Sequence, residues 1–261
     1  MKNMSEPRIA LVTGGTDGIG KAIALRLLDD GMRVAVTGRN AAKGVELADS
    51  VGRPDHFRYI ESDALDPEDA ARVVSQCHAS LGTIDVLVNN VGGGSSSEFG
   101  YIHDLDPSVW ADSFNRNVLT AIRMTHAVVP DMLERKWGRI VMMASLEGKM
   151  PTLPKVGPYV TSKHALIGLA KSIAFDYGTD GITCNAVCPG YVHIPTRVRK
   201  ASKALAEGRF ADPQQNYRDL SRIGRHTELN EVAHAVSMLV AEESAAITGT
   251  ALNIDGGSSP Y

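Results

Sequence analysis

The chain has little cysteine: three residues in 261, Cys77, Cys184 and Cys188, with no Cys-x-x-Cys pair among them. An odd, unpaired set gives no basis for a disulfide framework or a zinc site. The eight histidines are scattered without a His-x3-His spacing, so no metal ion is expected. Long hydrophobic runs are also missing. No stretch approaches the roughly 18 apolar residues of a membrane-spanning helix, and Met1 to Pro7 are polar, without the apolar segment of a secretory signal. A cytoplasmic protein with no membrane contact is the expectation. Neither sign of charge dominates: a formal net charge of -3 leaves no footprint for nucleic acid and suits small neutral or mildly charged ligands. Linkers, internal repeats and low-complexity runs are absent too, and Ser95-Ser96-Ser97 is too short to separate domains. Residues 1–261 therefore read as one domain, a length that a single α/β core commonly fills.

What is present is an alternation. Apolar runs at Ile9–Val12, Val34–Val36, Phe57–Ile60, Val86–Val88, Ile140–Met143, Ile182–Val187 and Ala251–Ile254 alternate with helical patterns. Near-continuous apolar strands imply a parallel sheet covered on both faces. Helices are predicted over Ile19–Asp29, Pro67–Leu81, Pro107–Met132, Tyr159–Tyr177 and Leu229–Val240, with Gly31 and Gly178 as stops and Asp66 and Asp106 as N-caps. The fold class is α/β: a doubly wound, Rossmann-like parallel sheet of about seven strands with helices on both faces, whose ligands bind at the carboxyl ends of the strands. Cys184 and Cys188, four residues apart on one strand, should face the same side as small core hydrophobes.

The polar motifs fall at those carboxyl ends. After the first strand comes Thr13-Gly14-Gly15-Thr16-Asp17-Gly18-Ile19-Gly20. Gly14, Gly18 and Gly20 let the chain turn sharply, bring backbone against a pyrophosphate and pack the next helix closely, with the Ile19 amide and the Thr16 side chain as donors. Asn89-Asn90-Val91-Gly92 closes the fourth strand, Ser145 the fifth, and Pro189-Gly190 the sixth. Tyr159 and Lys163 stand four apart on a predicted helix, hence on one face. The ammonium can then favour the ionised phenol and make a group with an ordinary pKa of about 10 useful near neutrality.

These ordered matches, from about Arg8 to Gly257 and including Asn117 and the terminal Asp255-Gly256-Gly257, resemble the classical subgroup of the short-chain dehydrogenase/reductase family. The resemblance implies an oxidoreductase that moves a hydride between a nicotinamide cofactor and a small-molecule alcohol or ketone. It implies Ser145 as the hydrogen-bond partner of the substrate oxygen and Tyr159 as the general acid/base. Lys163 would tune Tyr159 and bind the nicotinamide ribose, and Asn117 would hold a water that links Lys163 to solvent. For the cofactor it implies Asp63 and Ala64 at the adenine, Asn89 and Gly92 on the adenosine side, with stabilisation of the central sheet as the alternative role of Asn89, and Pro189, Gly190 and Val192 under the nicotinamide. Ile194 stands where relatives often have a threonine for the carboxamide, which leaves Thr196 as the candidate for that contact.

The cofactor's identity turns on the end of the second strand. No acid awaits a ribose hydroxyl there: Gly38 stands where NAD-preferring members often have Asp, and Arg39 where NADP-preferring members have a base. A guanidinium can clamp a 2'-phosphate, so NADP(H) is favoured, with NAD(H) the alternative. Asp17 argues the other way, since its charge would oppose that phosphate.

The substrate is less legible. Residues 191–225 should form a lid, whose first part carries Arg197, Arg199, Lys200, Lys203 and Arg209 against only Glu207. That run is either a solvated face or an attraction for an anionic substrate. Glu147, Met150, Leu153, His193 and the 93–97 loop are the expected pocket wall. Two subcases stay open, 3-oxoacyl thioester reduction and oxidation of cyclic or polyhydroxylated alcohols. A reading of another class also remains, a catalytically idle cofactor-binding sensor or scaffold. The resemblance further implies a homotetramer packed through the Tyr159 helix and the helix before it.

Overall fold

In the computed structural model, residues 6–194 and 218–259 are described. The seven strands found there are β1 (Ile9–Val12), β2 (Arg33–Gly38), β3 (Phe57–Glu61), β4 (Val86–Asn89), β5 (Gly138–Met143), β6 (Ile182–Pro189) and β7 (Ala251–Ile254). They form one parallel sheet in the order β3-β2-β1-β4-β5-β6-β7. The order reverses between β1 and β4, which opens a crevice above their carboxyl ends.

Alternate residues of each strand serve opposite faces. Leu11, Leu87, Ile140, Cys184 and Cys188 join one apolar cluster with α3 (Asp69–Ser80), α5 (Thr120–Arg135) and α6 (Gly157–Tyr177). Val12, Val34, Val86 and Val141 join the other with α1 (Gly18–Asp29), α2 (Ala41–Val51) and α7 (Leu229–Val240). The cysteines thus sit in the core as expected. Burial pushes the Cys77 thiol up to about 12 and that of Cys188 up to about 11, and raises Cys184 as well, so all three stay protonated.

Several boundaries differ from the sequence reading, each for a local reason. Helix α2 was not predicted: it is short, carries a glycine, and buries only Gly44 and Leu47. Gly44 is required there, because a Cβ would fall 2.3 Å from the Tyr59 ring. Helix α3 begins at Asp69 rather than Pro67, after a turn in which Asp66 accepts from the Glu68 amide. Asp106 does cap its helix, accepting from the Ser108 amide at 2.8 Å. The left-handed stop after α6 is Gly181 (φ 77°), three residues beyond Gly178, whose φ is -58°. The single helix expected over Pro107–Met132 is three pieces: α4 (Pro107–Phe114), a π turn at Asn115–Leu119, and α5. That π turn carries Asn117.

Candidate active site

A cleft of about 770 Å³ lies over the carboxyl ends of the strands. Its floor is the glycine loop between β1 and α1. Gly14 and Gly18 have left-handed backbones (φ 63° and 55°), and a Cβ on Gly20 would fall 2.4 Å from the Gly14 carbonyl oxygen. No side chain fits there, so α1 approaches the loop at backbone distance and its first amides open into the cleft. Asp17 caps the helix by accepting from the Gly18 amide at 2.8 Å.

The residue after β4 that reaches this loop is Asn90, not Asn89. Asn90 Nδ2 donates to the carbonyls of Thr13 (2.9 Å) and Gly14 (3.1 Å), while Thr13 Oγ1 accepts from the amides of Asn90 and Val91. Asn89 is 4% exposed and donates to Thr125 Oγ1 at 3.0 Å inside the core. The cofactor contact expected of Asn89 is corrected accordingly. Side chains of neighbouring strand residues face opposite sides, and the motif alone does not say which asparagine faces the cleft.

At the adenosine end, Ser62, Asp63, Ala64 and Leu65 line the cleft opposite Thr16, Gly38 and Arg39. Asp63 Oδ1 also accepts from the Leu65 amide. A Cβ on Gly38 would lie 2.8 Å from Thr16 Oγ1, so an acid at this position would displace Thr16. Arg39 is exposed along the wall. Asp17 is not the bare negative charge the sequence suggested. Lys43, in the first turn of the unforeseen α2, donates to its Oδ2 at 2.8 Å, and this hydrogen bond holds the Asp17 carboxyl below the usual aspartate range. Lys43 lines the cleft as well, a second cation beside Arg39.

The other wall carries the polar group. Tyr159 and Lys163 both line the cleft from α6. Lys163 is 4% exposed, its Nζ lies 5.6 Å from the Tyr159 ring centroid, and it donates to the Met143 carbonyl at 2.8 Å. Asn117 is fully buried: Oδ1 accepts from the Gly93 amide (2.8 Å), and Nδ2 donates to the carbonyls of Ser113 (3.0 Å) and Gly93 (3.3 Å). Gly92 joins the two, since a Cβ there would meet Asn117 Oδ1 at 2.6 Å and Lys163 Nζ at 3.4 Å. Ser145 is half-buried just after Met143 and Ala144 of the wall, and its Oγ accepts from the Glu147 amide at 3.2 Å.

The remaining expectations fare unevenly. Pro189 and Ile194 line the cleft, and the Ile194 side chain reaches over Gly18. Gly190 packs against Asp255, its amide donating to the Ile254 carbonyl. Val192 turns into the core beside Thr227, away from the cleft, because the chain pairs there with the segment before α7. Glu147 is not an open pocket wall: it is 4% exposed and its carboxylate accepts from the Thr152 amide and hydroxyl. Leu153 is half-buried, and His193 is exposed near His226. Thr196 and the basic run from Arg197 to Arg209 lie outside the described residues. Arg116, which lines the cleft and pairs with Glu98, was not singled out from the sequence. Its partner is 18 residues away in the short 3-10 turn Ser96–Glu98, and no short motif signals such a pair.

Known proteins match this architecture. The family model described as short chain dehydrogenase matches residues 8–205. The chain belongs to the short-chain dehydrogenase family. It is 35% identical to a protein of Streptomyces violaceoruber whose name provisionally makes it ketoacyl reductase 1 of the granaticin polyketide synthase, over 97% of this chain and 93% of that protein. It is 34% identical to the oxidoreductase UcpA of Escherichia coli, over 96% and 94%. A variant of the actinorhodin polyketide ketoreductase, solved with NADPH, superposes with a TM-score of 0.88 at 32% identity, covering 98% of each chain. As a short-chain dehydrogenase the protein is an oxidoreductase with a nicotinamide cofactor site. Among the described residues, no group of three or more His, Cys, Asp or Glu side chains is placed to hold a metal ion, and no helix is long and apolar enough to cross a membrane.

Proposed function

We propose that the protein interconverts a secondary alcohol and a ketone with NADP(H), with Tyr159 as the general acid/base. The observation that carries this reading is the convergence of Tyr159 and Lys163 on the cleft whose floor is the glycine loop. The fit to a dinucleotide rests on that floor: left-handed glycines, a close α1 amino end, and no room for side chains between them. When bound, a nicotinamide supplies or takes the hydride.

The chain's own groups do the rest. Tyr159 gives its hydroxyl proton to the carbonyl oxygen in reduction and takes it back in oxidation. Negative charge then remains on the phenolic oxygen, and the Lys163 ammonium near the ring stabilises it. Lys163 is aimed by the Met143 carbonyl, and Asn117, clamped between Ser113 and Gly93, fixes the backbone beside it. Because Ser145 Oγ accepts from Glu147, its own proton is free for the substrate oxygen, so two donors meet the charge that grows there.

Arg39 and Lys43, beside a Gly38 at which any side chain would have to displace Thr16, support NADP(H) over NAD(H). The relatives named as ketoacyl reductases favour a second reading, reduction of a 3-oxoacyl thioester. A homotetramer through α4, α5 and α6 is proposed as well, supported by Phe175 at 90% exposure and by exposed Phe114 and Ile122. Unpaired buried cysteines suit a cytoplasmic setting. The reaction is tested by offering ketones and alcohols with each cofactor and following the absorbance of the reduced nicotinamide. Turnover with none, although cofactor binds, would leave the sensor reading in its place.

A further inference from the structure

The adenosine end of the cleft is held by a tether that takes no part in the chemistry. Ser62, the first residue after β3, lines the cleft and is 3% exposed. Its Oγ donates to Asp69 Oδ2 at 2.5 Å. Asp69 opens α3, is 7% exposed, and also accepts on Oδ1 from Arg72 Nε at 2.9 Å and from Arg72 Nη2. The same Nη2 donates to the Glu61 carbonyl at 2.6 Å. One buried carboxylate thus grips two consecutive residues at the end of β3, Ser62 directly and Glu61 through Arg72.

The residues that follow this grip form the wall facing Gly38 and Arg39. Asp63, Ala64 and Leu65 continue from Ser62 and line the cleft with it. Ser62 is fixed on its other side as well, its amide donating to the Gly38 carbonyl at 3.1 Å. The two walls of the adenosine end are therefore joined through Ser62, with Asp69 as the anchor in the first turn of α3. A buried, paired carboxylate adds little net stability, because lost hydration offsets most of the attraction it gains. Several donors converging on one carboxylate do fix geometry, since each bond to the charged group is short and directional.

We propose that Asp69 is a positioning residue for the cofactor: through Ser62 and Arg72 it sets residues 62–65 at the spacing from Gly38 that the adenosine group needs. Asp69 does not line the cleft and acts only through these bonds. The inference rests on the reading of residues 62–65 as the adenosine end of a dinucleotide site.

The test separates the two halves of the cofactor. NADPH, ADP and reduced nicotinamide mononucleotide are titrated into the wild type, Ser62→Ala, Asp69→Asn and the double variant. Asp69→Asn replaces one oxygen by an N–H group, so one arm of the tether meets a donor instead of an acceptor. Ser62→Ala removes a single hydroxyl and guards against a misfolded Asn variant. Each single variant should weaken NADPH and ADP alike by about 2- to 10-fold, the range for one net hydrogen bond, while the mononucleotide binds as it does to the wild type. The double variant should lose no more than the more affected single one, because the two side chains act as one unit. A merely structural role predicts equal losses for both fragments. That result, or unchanged ADP affinity in the variants, would overturn the proposal. Asp63→Ala, titrated in the same way, keeps the two readings apart. If it weakens ADP while Ser62→Ala and Asp69→Asn do not, only the positioning role falls; if none of the three alters ADP affinity, the adenosine reading falls with it.

Discussion

The two halves of the cleft are built differently. The cofactor half is made of backbone: left-handed glycines, helix amides, and asparagine bonds to carbonyls. Behind the other wall stand side-chain pairs on irregular segments, Glu98 with Arg116 and Glu147 with Thr152, near an exposed apolar group of Phe99, Tyr101 and Ile102. The same residue type means opposite things in the two places. A Cβ on Gly20 would strike backbone at 2.4 Å, whereas a Cβ on Gly94 would touch its neighbours at 3.9 Å. Glycine in the first half excludes side chains because backbone lies too close, whereas at Gly94 a methyl would meet its neighbours at ordinary contact distance.

The largest expected effect falls where the halves meet. Tyr159→Phe keeps the ring and removes the proton, so turnover should fall by roughly 10² to 10⁴-fold while the cofactor affinity, read by fluorescence titration, stays near wild type. Near-normal turnover would remove Tyr159 from the chemistry.

Next comes the contrast between glycines. Gly20→Ala should destabilise the fold by about 1–3 kcal/mol, the cost of overpacking, and weaken either cofactor, because α1 must retreat from the loop. Gly94→Ala should leave the melting temperature nearly unchanged. Equal melting temperatures for the two variants would erase the distinction between the halves.

Arg39→Ala should weaken NADPH by about 1.5–3 kcal/mol and leave NADH nearly unchanged, as expected for a charge-assisted bond to the 2'-phosphate. Titrating both reduced cofactors decides it, and equal losses would refute the role.

The smallest effect concerns Asp17. Asp17→Asn keeps a helix cap but frees Lys43, so NADPH should bind a few-fold tighter at low salt, with the gain screened away as salt rises. The sign with pH follows from the lowered carboxyl. The Asp17–Lys43 attraction is fully present above the ordinary aspartate pKa of 3.8 and fades as pH falls below it toward the lowered value. Across neutral pH the wild type should therefore show no change in NADPH affinity from this pair. Weaker NADPH binding in the variant would mean that Asp17 helps the site by some route other than holding Lys43.

How much the sequence revealed follows the same division. Near-continuous apolar runs marked all seven strands, and motifs fixed by backbone need, such as the glycine loop, were legible because few residues satisfy them. Of the two roles open to Asn89 the structure shows the sheet-bound one, and Asn90 was missed since adjacent strand residues cannot be assigned a face from a motif. Lys43 was missed with α2, whose thin apolar face hid the helix. Glu98 and Arg116 were missed because their meeting is a product of tertiary folding, with no local period to announce it. The π turn at Asn117 was hidden for a related reason: its residues continue a helical pattern, and the break shows in the Thr120 amide, which donates to the Asn115 carbonyl five residues back.

The central claim is that this cleft transfers a hydride between a nicotinamide and an alcohol or ketone. The most direct test mixes the wild-type protein with NADPH and a panel of neutral ketones and follows loss of reduced-nicotinamide absorbance. The account predicts ketone-dependent oxidation of NADPH, faster than with NADH at equal concentration. Tight binding of both cofactors with no absorbance change for any ketone, and none for the matching alcohols with NADP+ or NAD+, would contradict it.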